Sequence, residues 1–305
     1  MLALLCGGQG LLSPQMFDLV NGRPEAEAIF SRAAALLGGD PRALVRGQAT
    51  TDLQANRINQ ILSVTAALTT HACIAASLPE RLAVAGYSVG EMAAFAIAGV
   101  WAPETALDLT DRRARSMDAG GSGGQLGYVR GLGRRAVERL LEPYGCAMAI
   151  VDPDRLFVFG GDRAAVEAAC HEAMAQGAAK AALLDVRIAS HTPKLAGAVA
   201  PFLEALRSAP WRDPGPGRRL LSGGDGGAIF KTSTALPRLA AQVAHTVDWA
   251  AALEALGEFG VTQVLDLGPG HALADMARAA IPGARSYAAS AFRTLEGLSE
   301  WLGSD

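Results

Sequence analysis

Residues Gly86–Gly90 read Gly-Tyr-Ser-Val-Gly and follow the apolar run Leu82–Ala85. The segment after them, "VGEMAAFAIAGV", has the composition of a helix. Glycine, serine and glycine at this spacing, between a buried strand and a helix, form the nucleophile-elbow pattern. The glycines let the chain turn sharply and let the helix pack close to the strand, so the Ser88 hydroxyl is presented at the carboxyl edge of a sheet. The amide of Val89 then sits at a helix N-terminus, where an unpaired N–H stabilises a developing oxyanion. A small serine in a tight turn or at a helix cap is the competing reading, and the strand–turn–helix context favours the nucleophile.

A nucleophilic serine needs a base, and the chain has 5 histidines. His71 and His171 fall inside helical patterns and read as surface or packing residues. His245 ends a helix, where a cation is favoured on dipole grounds. His271 opens the segment "GPGHALADM". His191, in "IASHTP", follows a strand, and Pro193 keeps the chain out of a helix, leaving the imidazole free to project into a cleft. Position favours His191 over His271. One arginine stands out as well. At 100° per residue, Leu107, Thr110, Ala114 and Met117 share one helix face; Arg113 flanks it and Arg112 points away. Arg112 and Arg115 read as solvated, whereas an inward Arg113 is suited to a two-point clamp on a carboxylate.

The elements that must position these groups alternate. Leu2–Cys6 reads as a buried strand running into the loop Gly7–Gly10, with helices over Glu25–Leu37 and Asn59–Ala76. A second buried strand covers Arg81–Ser88, and Pro103 opens a helix that Gly120 stops. "GGSGG" (Gly120–Gly124) reads as a hinge. Beyond it, "QLGYVRGL", "RRAVERLLEPY", "AMAIVDP", "RLFVFGG", "AAVEAACHEAMAQG" and "KAALLDVRIAS" give βαββαβ over about 65 residues, the ferredoxin-like order. Helices follow at 193–209, Thr234–His245 and Trp249–Phe259, with strands near Arg219–Ser222 and at Gln263–Gly268, the last clear strand. The expected fold is α/β. A large α/β-hydrolase-like subdomain with a mostly parallel sheet (1–123 and 191–305) carries an inserted small ferredoxin-like subdomain (124–190).

Composition narrows the classes. The chain has 305 residues, half of them hydrophobic, with a formal charge of −3, which argues against a general nucleic-acid binder. Cys6, Cys73, Cys146 and Cys170 are dispersed, so neither a zinc knuckle nor a disulfide framework is indicated, and no metal is expected. "MLALLCGGQG" lacks the basic leader of a signal peptide. No apolar run of about 20 residues is free of polar punctuation. A cytoplasmic protein without membrane or nucleic-acid partners is expected.

Together these residues resemble the malonyl-CoA:acyl carrier protein transacylases and the acyltransferase domains of polyketide and fatty-acid synthases. The resemblance spans essentially the whole chain through "GGQG", "NQILSVTAAL" (Asn59–Leu68), "GYSVGE", "RRARSM", "SHTP", "QVAHTVDW" (Gln242–Trp249) and "DLGPG" (Asp266–Gly270). It implies Ser88 as acyl nucleophile and His191 as base, oriented by the backbone carbonyl of Gln242. It further implies an oxyanion hole from the amides of Gln9 and Val89, Arg113 on the malonyl carboxylate, and Gln60 as the pocket glutamine. The implied substrate is a CoA thioester, with no bound cofactor, and the acceptor is a phosphopantetheine-type arm on an acyl carrier protein or carrier subunit. Three positions depart from the usual pattern: Tyr87 replaces a histidine, Cys6-Gly7 replaces Phe-Pro, and Leu12 replaces a glutamine. A tyrosine before the serine, with the GGQG start, resembles the epsilon subunit of biotin-independent malonate decarboxylase, which implies other decarboxylase subunits as partners. A transacylase of fatty-acid or polyketide synthesis is the alternative.

Two readings from other classes remain. A serine hydrolase or thioesterase of α/β-hydrolase type would place an acid between serine and histidine in the chain. Asp152, Asp162 and Asp185 qualify by order, although all fall in the inserted module. A non-catalytic phosphate loop at "CGGQG" would lack the lysine such loops carry.

Overall fold

The computed structural model describes residues 1–10, 12–47, 52–121 and 124–304. The first stretch runs β1 (Leu2–Cys6), α1 (Pro24–Leu37), α2 (Pro41–Val45), α3 (Asn56–Ile74), β2 (Leu82–Gly86), α4 (Gly90–Ile97) and α5 (Pro103–Gly120). A second unit follows: β3 (Gln125–Arg130), α6 (Arg134–Leu141), β4 (Ala147–Asp152), β5 (Leu156–Gly161), α7 (Arg163–Ala175) and β6 (Lys180–Leu183). The chain continues with α8 (Ala196–Ser208), β7 (Arg218–Leu221), β8 (Ala228–Ile229), α9 (Thr232–Ala241), β9 (Val247–Asp248) and α10 (Trp249–Glu258). It closes with β10 (Gln263–Asp266), α11 (Ala272–Ala280), β11 (Arg285–Ala288) and α12 (Leu295–Gly303).

The large sheet has the order β11-β10-β1-β2-β7-β8, parallel except for β8. Both faces of β1 and β2 are covered, so these strands are apolar throughout rather than alternating. Side-chain alternation instead sorts their residues between two cores. Leu2, Leu4, Cys6, Leu82 and Val84 pack with α1, α3, α4 and α5, while Ala3, Leu5, Ala83 and Ala85 face Trp249, Leu253 and Leu273. Truncating a fully buried strand residue such as Leu4 to alanine would cost about 2–5 kcal/mol. α3 is long and apolar enough to cross a bilayer by length and composition, but most of it is buried inside the protein, where it forms a core helix.

The small sheet has the order β6-β3-β5-β4, antiparallel, which is the ferredoxin-like arrangement. One face packs on α6 and α7 through Val129, Val137, Phe159 and Val166. The other contributes Leu126, Ile150 and Val158 to the core that contains Ala83, Ala85 and Trp249. The two lobes therefore share one apolar seam.

Several elements differ from expectation. The strand expected over Lys180–Ser190 stops at Leu183. There the chain crosses to the large lobe: Leu184 and Val186 keep main-chain bonds to Leu126, and the buried Gln125 side-chain amide also donates to their carbonyls. The strand expected to reach Ser88 ends at Gly86. The helix expected over Thr234–His245 ends at Ala241 and gives way to a 3-10 turn at Gln242–Ala244. β8, β9, β11 and α12 were not legible in the sequence. β8 and β9 are two residues long, and β11 exposes Tyr287. β9 pairs with β4, so the later part of the chain adds a fifth strand to the small sheet. Ser122 and Gly123 of the expected hinge lie outside the described residues.

Candidate active site

Ser88 directly follows the strand–turn junction after β2. A Cβ on Gly86 would fall 2.2 Å from the Glu91 amide, and one on Gly90 would fall 2.0 Å from the Cys6 carbonyl. Only glycine permits that approach of α4 to the ends of β1 and β2. The bend places Ser88 at φ 55, in the left-handed region that non-glycine residues rarely enter. His191 shares that conformation at φ 61. Strain of this kind persists where surrounding structure over-determines it, and it clusters at functional sites.

The two side chains meet. Ser88 Oγ lies 2.7 Å from His191 Nε2, and His191 Nδ1 lies 2.7 Å from the Gln242 carbonyl oxygen. A carbonyl only accepts, so Nδ1 carries the proton and Nε2 presents its lone pair to the serine hydroxyl. The 3-10 turn makes this possible: the Gln242 carbonyl takes only a long 3.3 Å bond from the His245 amide and keeps a lone pair for the imidazole. The same turn holds the histidine backbone, since the His191 amide donates to the Val243 carbonyl at 2.8 Å. His191 is buried. Its pKa is pushed down to about 3, by burial first and the nearby Arg113 charge second, against the opposing Gln242 bond. The imidazole is therefore neutral at physiological pH and able to accept a proton.

Behind Gln242 stands Glu91, a buried acid on α4. Its Oε1 accepts from the Gly223 amide at 2.6 Å and its Oε2 from the Gln242 side-chain amide at 2.5 Å. Burial raises its pKa to about 7. "GYSVGE" contained Glu91, but nothing in the sequence showed what its carboxyl would hold.

Arg113 is 1% exposed, whereas Arg112 and Arg115 are exposed and Arg115 pairs with Asp111. One guanidinium nitrogen of Arg113 donates to Gln60 Oε1 at 2.6 Å, and the Gln60 amide nitrogen donates to Asn56 Oδ1 at 2.6 Å. The other terminal nitrogen, Nη2, is buried without a partner among the described residues. Burial lowers the Arg113 pKa to about 10 and Glu91 opposes that shift, so the group stays charged at neutral pH. An unpaired buried N–H on a cation is costly unless an anion arrives to meet it.

The loop Gly7–Gly10 packs against the elbow. A Cβ on Gly8 would lie 2.9 Å from the Tyr87 ring and carbonyl, and 3.5 Å from the Ser88 Cβ. Asn59 clasps this loop by donating to the Gly10 carbonyl at 3.0 Å and accepting from the Gly10 amide at 3.3 Å. The amides of Val89, next to the serine, and of Gln9, next to Gly8 in the loop, have no backbone acceptor among the described residues.

The hydrolase arrangement is not found among the described residues. Asp162 and Asp185 are exposed and pair with Lys194 and Arg187, and Asp152 bonds Tyr87 rather than His191. His271 is exposed and bonds Asp275, and His245 is an exposed group on the Ala241 carbonyl.

No family model matches the chain. A Mycobacterium tuberculosis protein named malonyl CoA-acyl carrier protein transacylase is 30% identical over 311 residues, covering 98% of this chain and 99% of that protein. The fold matches the crystal structure of an acyl-carrier-protein S-malonyltransferase from Burkholderia pseudomallei 1710b with a TM-score of 0.90, at 24% identity and 99% coverage of both chains. It also matches a malonyl-transacylase solved in complex with its type II polyketide acyl carrier protein, with a TM-score of 0.89, at 24% identity and 98% and 99% coverage. The dyad geometry and the full-length similarity lead to one conclusion: the chain is an acyltransferase and belongs to the malonyl CoA-acyl carrier protein transacylase family.

Proposed function

We propose that the protein moves malonyl from CoA to a carrier-protein thiol through a malonyl-Ser88 intermediate. The observation that carries this reading is the buried Arg113 Nη2 without a partner, in the same site as a serine–histidine pair at 2.7 Å. His191 Nε2 takes the Ser88 proton as Oγ attacks the thioester carbonyl. The amides of Gln9 and Val89 hold the tetrahedral oxyanion, each such donor being worth about 3 kcal/mol in the transition state. The C–S bond breaks and CoA leaves as a thiol carrying the proton from His191. The carrier thiol then gives its proton to His191, attacks the malonyl ester and regenerates Ser88. Both pantetheine arms belong to substrates, so no resident cofactor enters. Arg113, steadied by Gln60, binds the free malonyl carboxylate in a bidentate charge-assisted pair. An acetyl group would leave that cation unmet.

The finer assignment is the epsilon subunit of a biotin-independent malonate decarboxylase, acting in the cytoplasm on a carrier subunit with a dephospho-CoA-derived arm. Tyr87 in the usual histidine place, with the GGQG start, supports it. The second reading is a transacylase of fatty-acid or polyketide synthesis, favoured by the full-length similarity to the mycobacterial relative.

Incubation with malonyl-CoA followed by intact-mass analysis should show a malonyl adduct that Ser88→Ala lacks. The adduct is then offered to both kinds of carrier. Loading of the dephospho-CoA-type carrier alone supports the decarboxylase role, and loading of a phosphopantetheine carrier alone overturns it. Free malonate without carrier loading would indicate hydrolysis. With a base already neutral far below pH 6.5, the acylation rate should stay level between pH 8 and 5.5. A fall of ordinary histidine shape centred near 6.5 counts against His191 as described.

A further inference from the structure

Tyr87 precedes the nucleophile and touches several separate parts of the site. Its amide donates to the Cys6 carbonyl and its carbonyl accepts from the Gly90 amide, both at 2.9 Å, which ties it to β1 and to the elbow. Its ring lies against Gly8 of the loop that carries Gln9. It also meets Trp249 edge-on, with centroids 5.4 Å apart. Its hydroxyl crosses to the small lobe and donates to Asp152 Oδ2 at 3.2 Å. Asp152 ends β4, is 3% exposed, and its side chain has no other hydrogen-bond partner among the described residues, its Oδ1 being buried and unsatisfied. Trp249 follows β9, the strand that pairs with β4 at Ile150 and Val151. A buried acid with a single bond, made to the residue beside the nucleophile, is an arrangement that core packing alone does not require.

We infer that the Tyr87–Asp152 hydrogen bond is an inter-lobe pin that sets the Ser88 hydroxyl against His191, making Tyr87 and Asp152 positioning residues for acyl transfer. The pin works through geometry. The tyrosine ring is braced between the Gly8 loop and Trp249, so fixing its far end on the small lobe fixes the main chain on which Ser88 holds its strained φ. Small displacements of a nucleophile are expensive in rate, since reacting groups must be held near attack distance.

The inference rests on Ser88 being the nucleophile, and its test uses two readouts so that the two ideas fail separately. The first is the rate at which a serine-directed fluorophosphonate labels Ser88, and the second is the rate of malonyl adduct formation from malonyl-CoA. Tyr87→Phe keeps the ring contacts and removes the hydroxyl. Both rates should fall roughly tenfold, with the KM for malonyl-CoA unchanged. Asp152→Asn keeps an acceptor for the hydroxyl and should retain more of both rates than Asp152→Ala. The double variant Tyr87→Phe/Asp152→Leu replaces both partners by apolar groups, which should restore thermal stability. Stability restored while labelling stays slow supports the pin. Wild-type labelling by Tyr87→Phe, or recovery of rate together with stability in the double variant, overturns it. Rapid labelling of the wild-type protein without a malonyl adduct overturns the malonyl reading and leaves the pin to be judged on labelling.

Discussion

The two halves of the dyad are both strained and are held by different means. Ser88 is held first by shape: Gly86, Gly90 and the close approach of α4 to β1 force the bend, and the Tyr87 bond to Asp152 adds only the final placement of the hydroxyl. His191 is fixed by hydrogen bonds, from its amide to Val243 and its ring to Gln242, with Glu91 holding Gln242 from behind. Steric confinement carries no charge and does not titrate. A chain of hydrogen bonds that ends in a buried acid does. The nucleophile side should therefore be intolerant of added bulk, and the base side should be sensitive to loss of polar partners, with the titration of its acid read in stability rather than in rate.

The largest expected effect is at the confined side. Ser88→Ala should abolish the malonyl adduct by intact mass. His191→Ala should slow acylation by at least about a thousandfold and leave a residue of activity from the two amides and the elbow, which it does not touch. If that variant were fully dead while Ser88→Ala retained turnover, the division between the halves would be wrong. Arg113→Ala should lower malonyl transfer about a hundredfold more than acetyl transfer, read as the ratio of kcat/KM on the two thioesters. Equal losses would remove the clamp. Glu91→Gln cannot accept from both Gly223 and Gln242. It should slow acylation about tenfold and cost about 1–3 kcal/mol in denaturant unfolding, with fluorophosphonate access to Ser88 little changed.

The smallest effect is on stability against pH. Glu91 has a folded pKa of about 7 against 4.5 when unfolded, so the folded state binds the extra proton between those values. The associated stability is full below pH 4.5 and is lost as pH rises through about 7. Asp152 behaves alike, with a folded pKa of about 7 set by burial and by Asp248 against the Tyr87 bond and Arg130. Melting curves from pH 5 to 8 should therefore decline less steeply for Glu91→Gln and for Asp152→Asn than for the wild-type protein. Parallel slopes would mean that neither acid holds its proton.

The same division explains how far the sequence could be read. The elbow is a local device, so Gly86, Ser88 and Gly90 announced it, and α5 was legible to its end residues because Pro103 and Gly120 mark them. The helical period also placed Arg113 inward. The base side is built from residues far apart in the chain, with His191 and Gln242 separated by 51 positions, and only the family resemblance named Gln242. Glu91, Asn59 and Asp152 carry no local mark that separates them from other polar residues, because burial is decided by what folds over them. β9 is too short for a periodic signal, β11 carries an exposed Tyr287, and where β6 ends depends on how the chain crosses to the other lobe.

A main-chain carbonyl in place of a carboxylate behind His191 sets the range of reactions the catalyst suits. A carbonyl dipole offers a cationic ring less compensation than a full negative charge, and the Arg113 cation works against it. A protonated imidazole is thus a short-lived species here, poorly suited to coaxing an amine out of an amide. Thiols depart readily with little help from an acid. Exchange of an acyl group between thiols through an ester on the serine is what such an economy of charge suits, and it spares the peptide bonds of any carrier that docks.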